Sequence, residues 1–169
     1  MPEAKHITRP APYASSADFC RIFCEETDSL YRLSFLLTAD REKAEQCVLS
    51  GLEDSVKGNR VFKEWAHAWA RRAIIQCAVR VINPRPMEQG APSNSNGSGN
   101  TWAVEQGEIA SVLELRPFER FVYVMSVLER YSDQDCSVLL GCGRRDVMAA
   151  RIRAVQRIDT QWEFALSDK

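Results

Sequence analysis

Apolar residues recur at helical spacing through the first half of the chain. Intervals of three, four and seven predict one long helix over about 17–37. A second helix is predicted to begin at Thr38 or Asp40 and to end at Gly58, and a third covers about 61–81. The stripe of the first helix contains five residues: Phe19, Phe23, Leu30, Leu33 and Leu37.

The second half has the same helical character. Pro117 is well placed as the first residue of a helix, and Ser132 as the cap of a short helix that the glycines at 141 and 143 end. A last helix is predicted over about 144–165. We expect its apolar face to pack inward: Met148, Ile152, Val155 and Trp162.

A polar stretch separates the two halves. Residues 83–100 are rich in Pro, Gly, Ser and Asn and offer nothing to bury, which is typical of a flexible linker. No strand pattern with period two occurs on either side. The prediction is an all-α protein of two small helical domains. Its parts are a disordered arm over 1–15, a helical domain over 16–82, a linker over 83–102 and a second helical domain over 103–169.

Composition adds a segregation of charge. The 169 residues carry a net charge of −1, with 45% hydrophobic and 27% charged residues, the balance of an ordinary soluble protein. Segments 60–80 and 144–157 each contain five basic residues and one acidic residue, so the remainder is acidic. This distribution indicates local contact with a polyanion.

Several function classes find no support in the sequence. Cys20 and Cys24 lie one helical turn apart, but no further cysteine or histidine stands at metal-ligand spacing, so no metal and no cofactor are expected. There is no nucleophilic triad and no phosphate-binding loop, so no enzyme is predicted. Without a long apolar run or a secretory signal, we expect no membrane partner and a cytoplasmic location.

Residues 132–157 carry the most specific pattern. A short helix, a glycine-containing turn and an arginine-bearing helix form the layout of a helix-turn-helix, whose second helix enters the major groove of DNA. Ser137 provides the small residue that close helix packing needs four positions before Gly141. The alternative is a solvated basic face. The candidate DNA-contacting arginines of this segment are Arg144, Arg145, Arg151 and Arg153.

This segment resembles a known family. The stretch LRPFERFVYVMSVLERYSDQDCSVLLGCGRRDVMAARIRAVQRI is similar to the −35-binding domain of bacterial RNA polymerase sigma factors of the extracytoplasmic-function (ECF) class. Three motifs of that family have counterparts here: Leu-Pro-x-x-Glu-Arg at the start of a helix, a Ser helix cap and a Leu-Gly turn. They are Leu115, Pro117, Glu119, Arg120, Tyr131, Ser132, Leu140 and Gly141.

The first half resembles the promoter-melting domain of the same family. LSFLLTADREKAEQCVLSGL is similar to its second-helix motif and FKEWAHAWARRAIIQCAVR to its third. The resemblance implies a three-helix bundle in which Arg71 and Arg72 hold promoter DNA near the −10 element, with a solvated role as the alternative. It also implies a polymerase-docking surface on the second helix, made of Asp40, Glu42, Glu45 and Val48.

The chain also departs from that family. Residues 46–50 replace the acidic and glutamine-rich stretch that docks on polymerase, which weakens charge complementarity. In the last helix, an alignment with one inserted residue keeps Met148 and Ile152 inward and makes Arg151 the matched DNA-facing arginine. Trp65 and Trp69 are candidates for stacking on an unpaired base, but their place on the stripe of Phe62 favours a core position.

The resemblance implies a sigma-factor-like transcription initiation factor that carries no catalysis itself. Its partners are promoter DNA, core RNA polymerase and an anti-sigma protein. Two alternatives remain: a divergent sigma-fold protein without polymerase docking that acts as a stand-alone DNA-binding regulator, and a protein-interaction module.

Overall fold

The computed structural model describes residues 12–58, 60–86 and 106–167, and these residues are helical apart from short connections. The expected all-α class is confirmed, and the described part contains no strand. The helices are α1 (Ser16–Glu25), α2 (Thr27–Thr38), α3 (Arg41–Lys57), α4 (Ala66–Ile82, after a 3₁₀ turn at Lys63–Trp65), α5 (Gln106–Glu114), α6 (Pro117–Tyr123, extended by a π turn at Val124–Leu128), α7 (Asp133–Leu140) and α8 (Arg144–Ser167).

The expected single helix over 17–37 is wrong, because the chain breaks at Glu26. There the backbone leaves helical geometry, with φ −105° and ψ 18°. The hydroxyl of Thr27 donates 2.6 Å to the carbonyl of Phe23 and so satisfies part of the end of α1. Ser15 caps α1 in a capping box with Asp18. The apolar stripe continues across the break, so periodicity alone did not reveal it.

Helix α3 packs closely on α4 through small residues. Asp40 caps α3, accepting 3.0 Å from the backbone N–H of Lys43. A Cβ atom added to Gly51 would lie 2.9 Å from Cγ1 of Ile74, so a larger residue would force Ile74 or the helices to shift. The residues that α3 buries are Ala44, Cys47, Gly51 and Ser55.

The C-terminal helices bury their side chains in the same core as α1–α4. Phe118, Phe121 and Met125 join one continuous apolar cluster with residues of α1, α2 and α4. Helix α2 contacts both α5 and α6. The two segments that the sequence predicts as separate domains therefore share one core.

Two predicted segments lie partly outside the described residues. The linker is described only over 83–86, and most of the N-terminal arm over 1–15 lies outside as well. Residues 12–14 are described and run antiparallel to 61–63. The backbone N–H of Ala14 donates 2.7 Å to the carbonyl of Val61, and that of Lys63 donates 3.0 Å to the carbonyl of Pro12.

Candidate nucleic-acid interface

A short turn at Gly141–Gly143 connects α7 to α8. The side chain of Ser132 accepts 3.1 Å from the backbone N–H of Asp135, and so caps α7 as expected. Gly141 ends α7 with φ +62°, a conformation that favours glycine. Ser137 is buried, and its carbonyl accepts 3.1 Å from the backbone N–H of Cys142. The sequence signals for this turn therefore correspond to actual contacts.

Arg144 and Arg145 lie in the first turn of α8, and both are exposed. Among the described residues, neither forms an ion pair with a carboxylate. A positive charge at a helix N-terminus is repelled by the helix dipole. An anionic partner outside the fold would remove that repulsion, and a DNA phosphate is one such partner.

Arg151 is paired within the domain. Its guanidinium donates 2.5 Å and 3.4 Å to the two carboxylate oxygens of Asp133, in a part-buried pair that joins α8 to α7. This bidentate pair fixes the guanidinium at the first residue of α7. Arg151 remains a predicted DNA contact, but to reach a phosphate it has to leave Asp133.

Glu119 holds two further arginines of α8. Its carboxylate is almost fully buried and accepts 2.9 Å from Arg153 Nε and 2.8 Å from Arg157 Nη1. These pairs join α8 to α6 and leave the carboxylate without unpaired oxygens. Much of the basic charge of 144–157 is thus balanced inside the domain.

Arg120, the neighbour of Glu119, links the two domains. It is 6% exposed, and its Nε donates 3.2 Å to the carbonyl of Leu37 in α2. Its Nη1 donates to the carbonyls of Leu113 and Leu115. Burial lowers the pKa of Arg120 to about 10, so it remains charged at neutral pH. Glu119 therefore holds α8 within the C-terminal domain, and the adjacent Arg120 joins this domain to α2.

The expectation that Met148, Ile152 and Val155 pack inward is wrong, and the side chain of Trp162, the fourth residue of that face, lies outside the described residues. The exposed fractions of the first three are 45%, 56% and 36%. Small residues allow α8 to approach α6 and α7 closely, and the neighbouring stripe is buried instead. It consists of Val147, Ala150, Ala154 and Ile158. The one-residue insertion in the alignment is consequently unsupported, since it was chosen to keep Met148 and Ile152 inside.

Arg71 does not face solvent on the first domain. It donates 2.7 Å and 2.5 Å to the two carboxylate oxygens of Glu129, which follows α6, and 3.0 Å to Oγ of Ser29. The hydrogen bonds to Glu129 raise the pKa of Arg71. A residue expected to hold −10 DNA thus forms an ion pair across the domain junction.

A cleft of about 440 Å³ lies beside that ion pair. Its walls combine aromatic and basic side chains from α4 with residues before and within α7. Burial raises the pKa of Tyr131, which keeps its hydroxyl protonated. The lining includes Trp65, Trp69, Arg71, Arg72, Glu129 and Tyr131.

The two candidate stacking residues differ in burial. Trp69 is half-buried and packs against the core, which agrees with the favoured interpretation. Trp65 is 60% exposed, so a core position is wrong for it. It stands edge-on to Phe62 with ring centroids 5.5 Å apart, and Phe62 stacks on Tyr13 at 4.8 Å. An exposed aromatic cluster therefore covers the start of α4.

The candidate polymerase-docking residues lie along α3. Glu42 and Glu45 are exposed, whereas Asp40 serves as the N-cap. Val48 is half-buried and packs against the core. Glu42 and Glu45 therefore present their carboxylates to solvent, while Asp40 caps the helix and Val48 packs on its buried side.

Sequence reasoning missed the carboxylates that neutralise the arginines. Asp133 and Glu129 were not singled out, and Glu119 was noted only as part of a motif. Each carboxylate is distant in sequence from its arginine. The separations are 18 residues for Asp133 and Arg151, 58 for Glu129 and Arg71, and 34 for Glu119 and Arg153. The only available signal was the acidic excess outside the basic segments, which does not identify particular pairs.

Two further observations concern other kinds of site. Among the described residues, no three His, Cys, Asp or Glu side chains are grouped as metal ligands would be. In the same part of the chain, no helix is long and apolar enough to cross a membrane.

The chain is similar in fold to a protein of known structure. No model of a known protein family matches the chain, and no curated protein matches it. Among solved structures it is similar to the sigma factor RpoE in its co-crystal structure with the anti-sigma factor NepR from Bartonella quintana. The identity is 17% and the TM-score 0.50, and the match covers 86% of this chain and 97% of the other.

The chain has a sigma-factor-like fold. At this identity the likeness concerns the fold alone.

Proposed function

We propose that the chain is a sigma-like transcription initiation factor that docks on core RNA polymerase and recognises promoter DNA. The observation that carries this proposal is the pair of exposed arginines, Arg144 and Arg145, at the start of α8 and directly after the glycine turn from α7, in a chain with a sigma-factor-like fold. Those two arginines contact −35 DNA, and α3 docks on the polymerase.

The −10 function requires the domains to separate. Arg71 is bound to Glu129, and Arg72 lines the cleft between α4 and α7. DNA reaches these side chains once the junction opens. We therefore propose that the described arrangement is a closed state of the protein and that binding to polymerase opens it.

The first test is capture of the purified chain by bacterial core RNA polymerase. It is run beside Gln46→Asp with Ser50→Glu, which adds charges of the family type to α3. Gln76→Asp, at an exposed position of α4, controls for added negative charge. Capture of the unmodified chain supports the proposal. Capture of the double variant alone indicates a fold that has lost its docking surface, and no capture of either contradicts polymerase docking.

A salt titration tests DNA binding separately. The logarithm of the DNA affinity should fall with the logarithm of salt at about −0.9 for each phosphate contacted. Replacing Arg144 and Arg145 by alanine should reduce the slope by about two contacts. A slope near zero would contradict DNA recognition.

A second candidate function has its own observation. The outer face of α8 is apolar at Met148, Ile152 and Val155, where a DNA-reading helix usually carries polar groups. This favours a regulator that acts through protein contacts. In that case the purified chain fails both the polymerase capture and the DNA titration while keeping its fold.

A further inference from the structure

The outward stripe of α8, defined as Met148, Ile152 and Val155, lies at the surface and outside the buried core of the described residues. Between 36% and 56% of each residue is exposed. The helix already buries a different stripe in its own domain. Exposed large apolar side chains that line up on one helix are typical of an interaction surface.

The stripe has the spacing of a coiled-coil seam. With Arg145 before it and Asp159 after it, positions 145, 148, 152, 155 and 159 alternate by three and four. This is the a/d pattern of a heptad repeat, which keeps one seam facing a partner helix. Helix α8 has 24 residues, enough for three heptads.

The ends of the seam carry opposite charges. Arg145 stands seven residues before Ile152 and Asp159 stands seven residues after it, and both are exposed. A rotation of the helix by a half-turn, about an axis that passes through Ile152 perpendicular to the helix, therefore exchanges the position of Arg145 with that of Asp159. Such a surface complements itself in the antiparallel direction.

We propose that α8 pairs antiparallel with α8 of a second copy of this chain, about a two-fold axis at Ile152. Each Arg145 then lies near Asp159 of the other copy, and the outward stripes pack together. A parallel pair would place like charges together at both ends. The second copy also supplies a negative charge to the N-terminal turn of α8, which its dipole favours.

Other occupants fit the stripe less well. Large apolar side chains gain little in a DNA groove, where only the thymine methyl group is apolar. A helix of a different protein would need a negative group opposite Arg145 and a positive group opposite Asp159. An antiparallel second copy of α8 provides both by symmetry. One helix face buries less than the roughly 800 Å² per partner of a standard interface, so a weak dimer is expected.

This pairing goes beyond the proposed function and does not depend on it. It covers Arg145 and the face of α8 that would enter DNA. Self-association and DNA binding therefore compete if both occur.

Sedimentation equilibrium of the full chain tests the proposal. The mass should rise from monomer towards dimer with concentration. Ile152→Glu places two like charges across the axis and should weaken the dimer by more than about tenfold. Leu49→Glu is the matched control, since Leu49 is 65% exposed on α3, and it should leave the dimer unchanged. Circular dichroism checks that each variant is folded.

A charge exchange identifies the partner. Arg145→Glu should weaken the dimer, and Arg145→Glu combined with Asp159→Arg should restore it, because the two charges face each other across copies. A monomer at all concentrations overturns the proposal. So does association that survives Ile152→Glu, or a double exchange that fails to recover. DNA bound through Ile152 by a strictly monomeric chain would assign the stripe to DNA instead.

Discussion

The two basic segments of the chain use their arginines differently. In the N-terminal domain, Arg71 reaches across the junction to Glu129. In the C-terminal domain, Arg153 and Arg157 both pair with the buried Glu119 of the same domain. Separation of the domains therefore releases Arg71 and leaves the other two arginines paired.

A segment rich in basic residues does not therefore form a basic surface. Five arginines in 144–157 predict a polyanion-binding helix, but three of them have carboxylate partners in the fold. Which charges remain for a ligand depends on contacts distant in the chain. The exposed Arg144 and Arg145 are the exception, since the described carboxylates do not pair with them.

The largest effect is expected from Arg120→Met, which removes the link between the domains. Three carbonyls lose their donor in a buried place, so the free energy of unfolding should fall by about 3 kcal/mol. Arg116→Met, an exposed arginine one turn earlier, should change it by less than about 0.5 kcal/mol. Urea unfolding measures both. Equal effects would show that Arg120 is not a structural residue.

Glu119→Gln should have the next largest effect, because it removes the charge that holds Arg153 and Arg157. Both arginines are about half exposed and can turn to water, which limits the loss to about 1–2 kcal/mol. Glu53→Gln, at a surface pair with Lys57, is the control and should be near zero. If the two variants unfold alike in urea, Glu119 does not organise α8.

Glu129→Gln should act on the junction rather than on either domain. It frees Arg71, so affinity for forked promoter-like DNA should rise by about threefold to tenfold, as expected when a binding-competent state becomes more populated. The stability of each domain should change little. Fluorescence anisotropy measures the affinity, and an unchanged value would remove Arg71 from the proposed −10 contact.

The smallest effect is expected on the buried thiols, which report whether each domain stays closed. Burial raises the pKa of Cys47 to about 12 and that of Cys136 to about 11. At pH 8 both should resist alkylation, while the exposed Cys20 and Cys24 react first. Mass spectrometry should give this order in the wild type and in Glu129→Gln. Fast reaction of Cys136 in the variant would mean that the domain itself opens.

The same raised pKa values predict the alkaline behaviour. The folded thiol of Cys136 keeps its proton above the ordinary pKa of 9.0, where the unfolded thiol loses it. Its contribution to stability is therefore complete below about pH 9 and is lost as the pH rises towards 11. Unfolding midpoints measured across that range should fall, and a midpoint that rises would contradict the assignment.

Sequence signals predicted the local features of the fold. Asp40 and Ser132 as helix caps, Pro117 as a first helical residue and Gly141 as a turn each depend on the few residues around them. The helical class depends on periodicity, which is also local. These features needed no knowledge of distant contacts.

Side-chain burial on α8 was predicted less well. Hydrophobicity favours Met148 and Ile152 for the core, but close helix packing instead buries the smaller Ala150 and Ala154. Likewise, the pairing of Arg71 with Glu129 spans 58 residues. Such contacts are set by how the helices pack, which a single sequence does not display.

The most direct test of the closed junction is a charge exchange at Arg71 and Glu129, read by small-angle X-ray scattering on dilute, monomeric protein. Arg71→Glu and Glu129→Arg should each increase the radius of gyration, because like charges then meet at the junction. The combination of both changes should restore the compact value. Three variants as compact as the wild type, or a combination that stays expanded, would contradict the account.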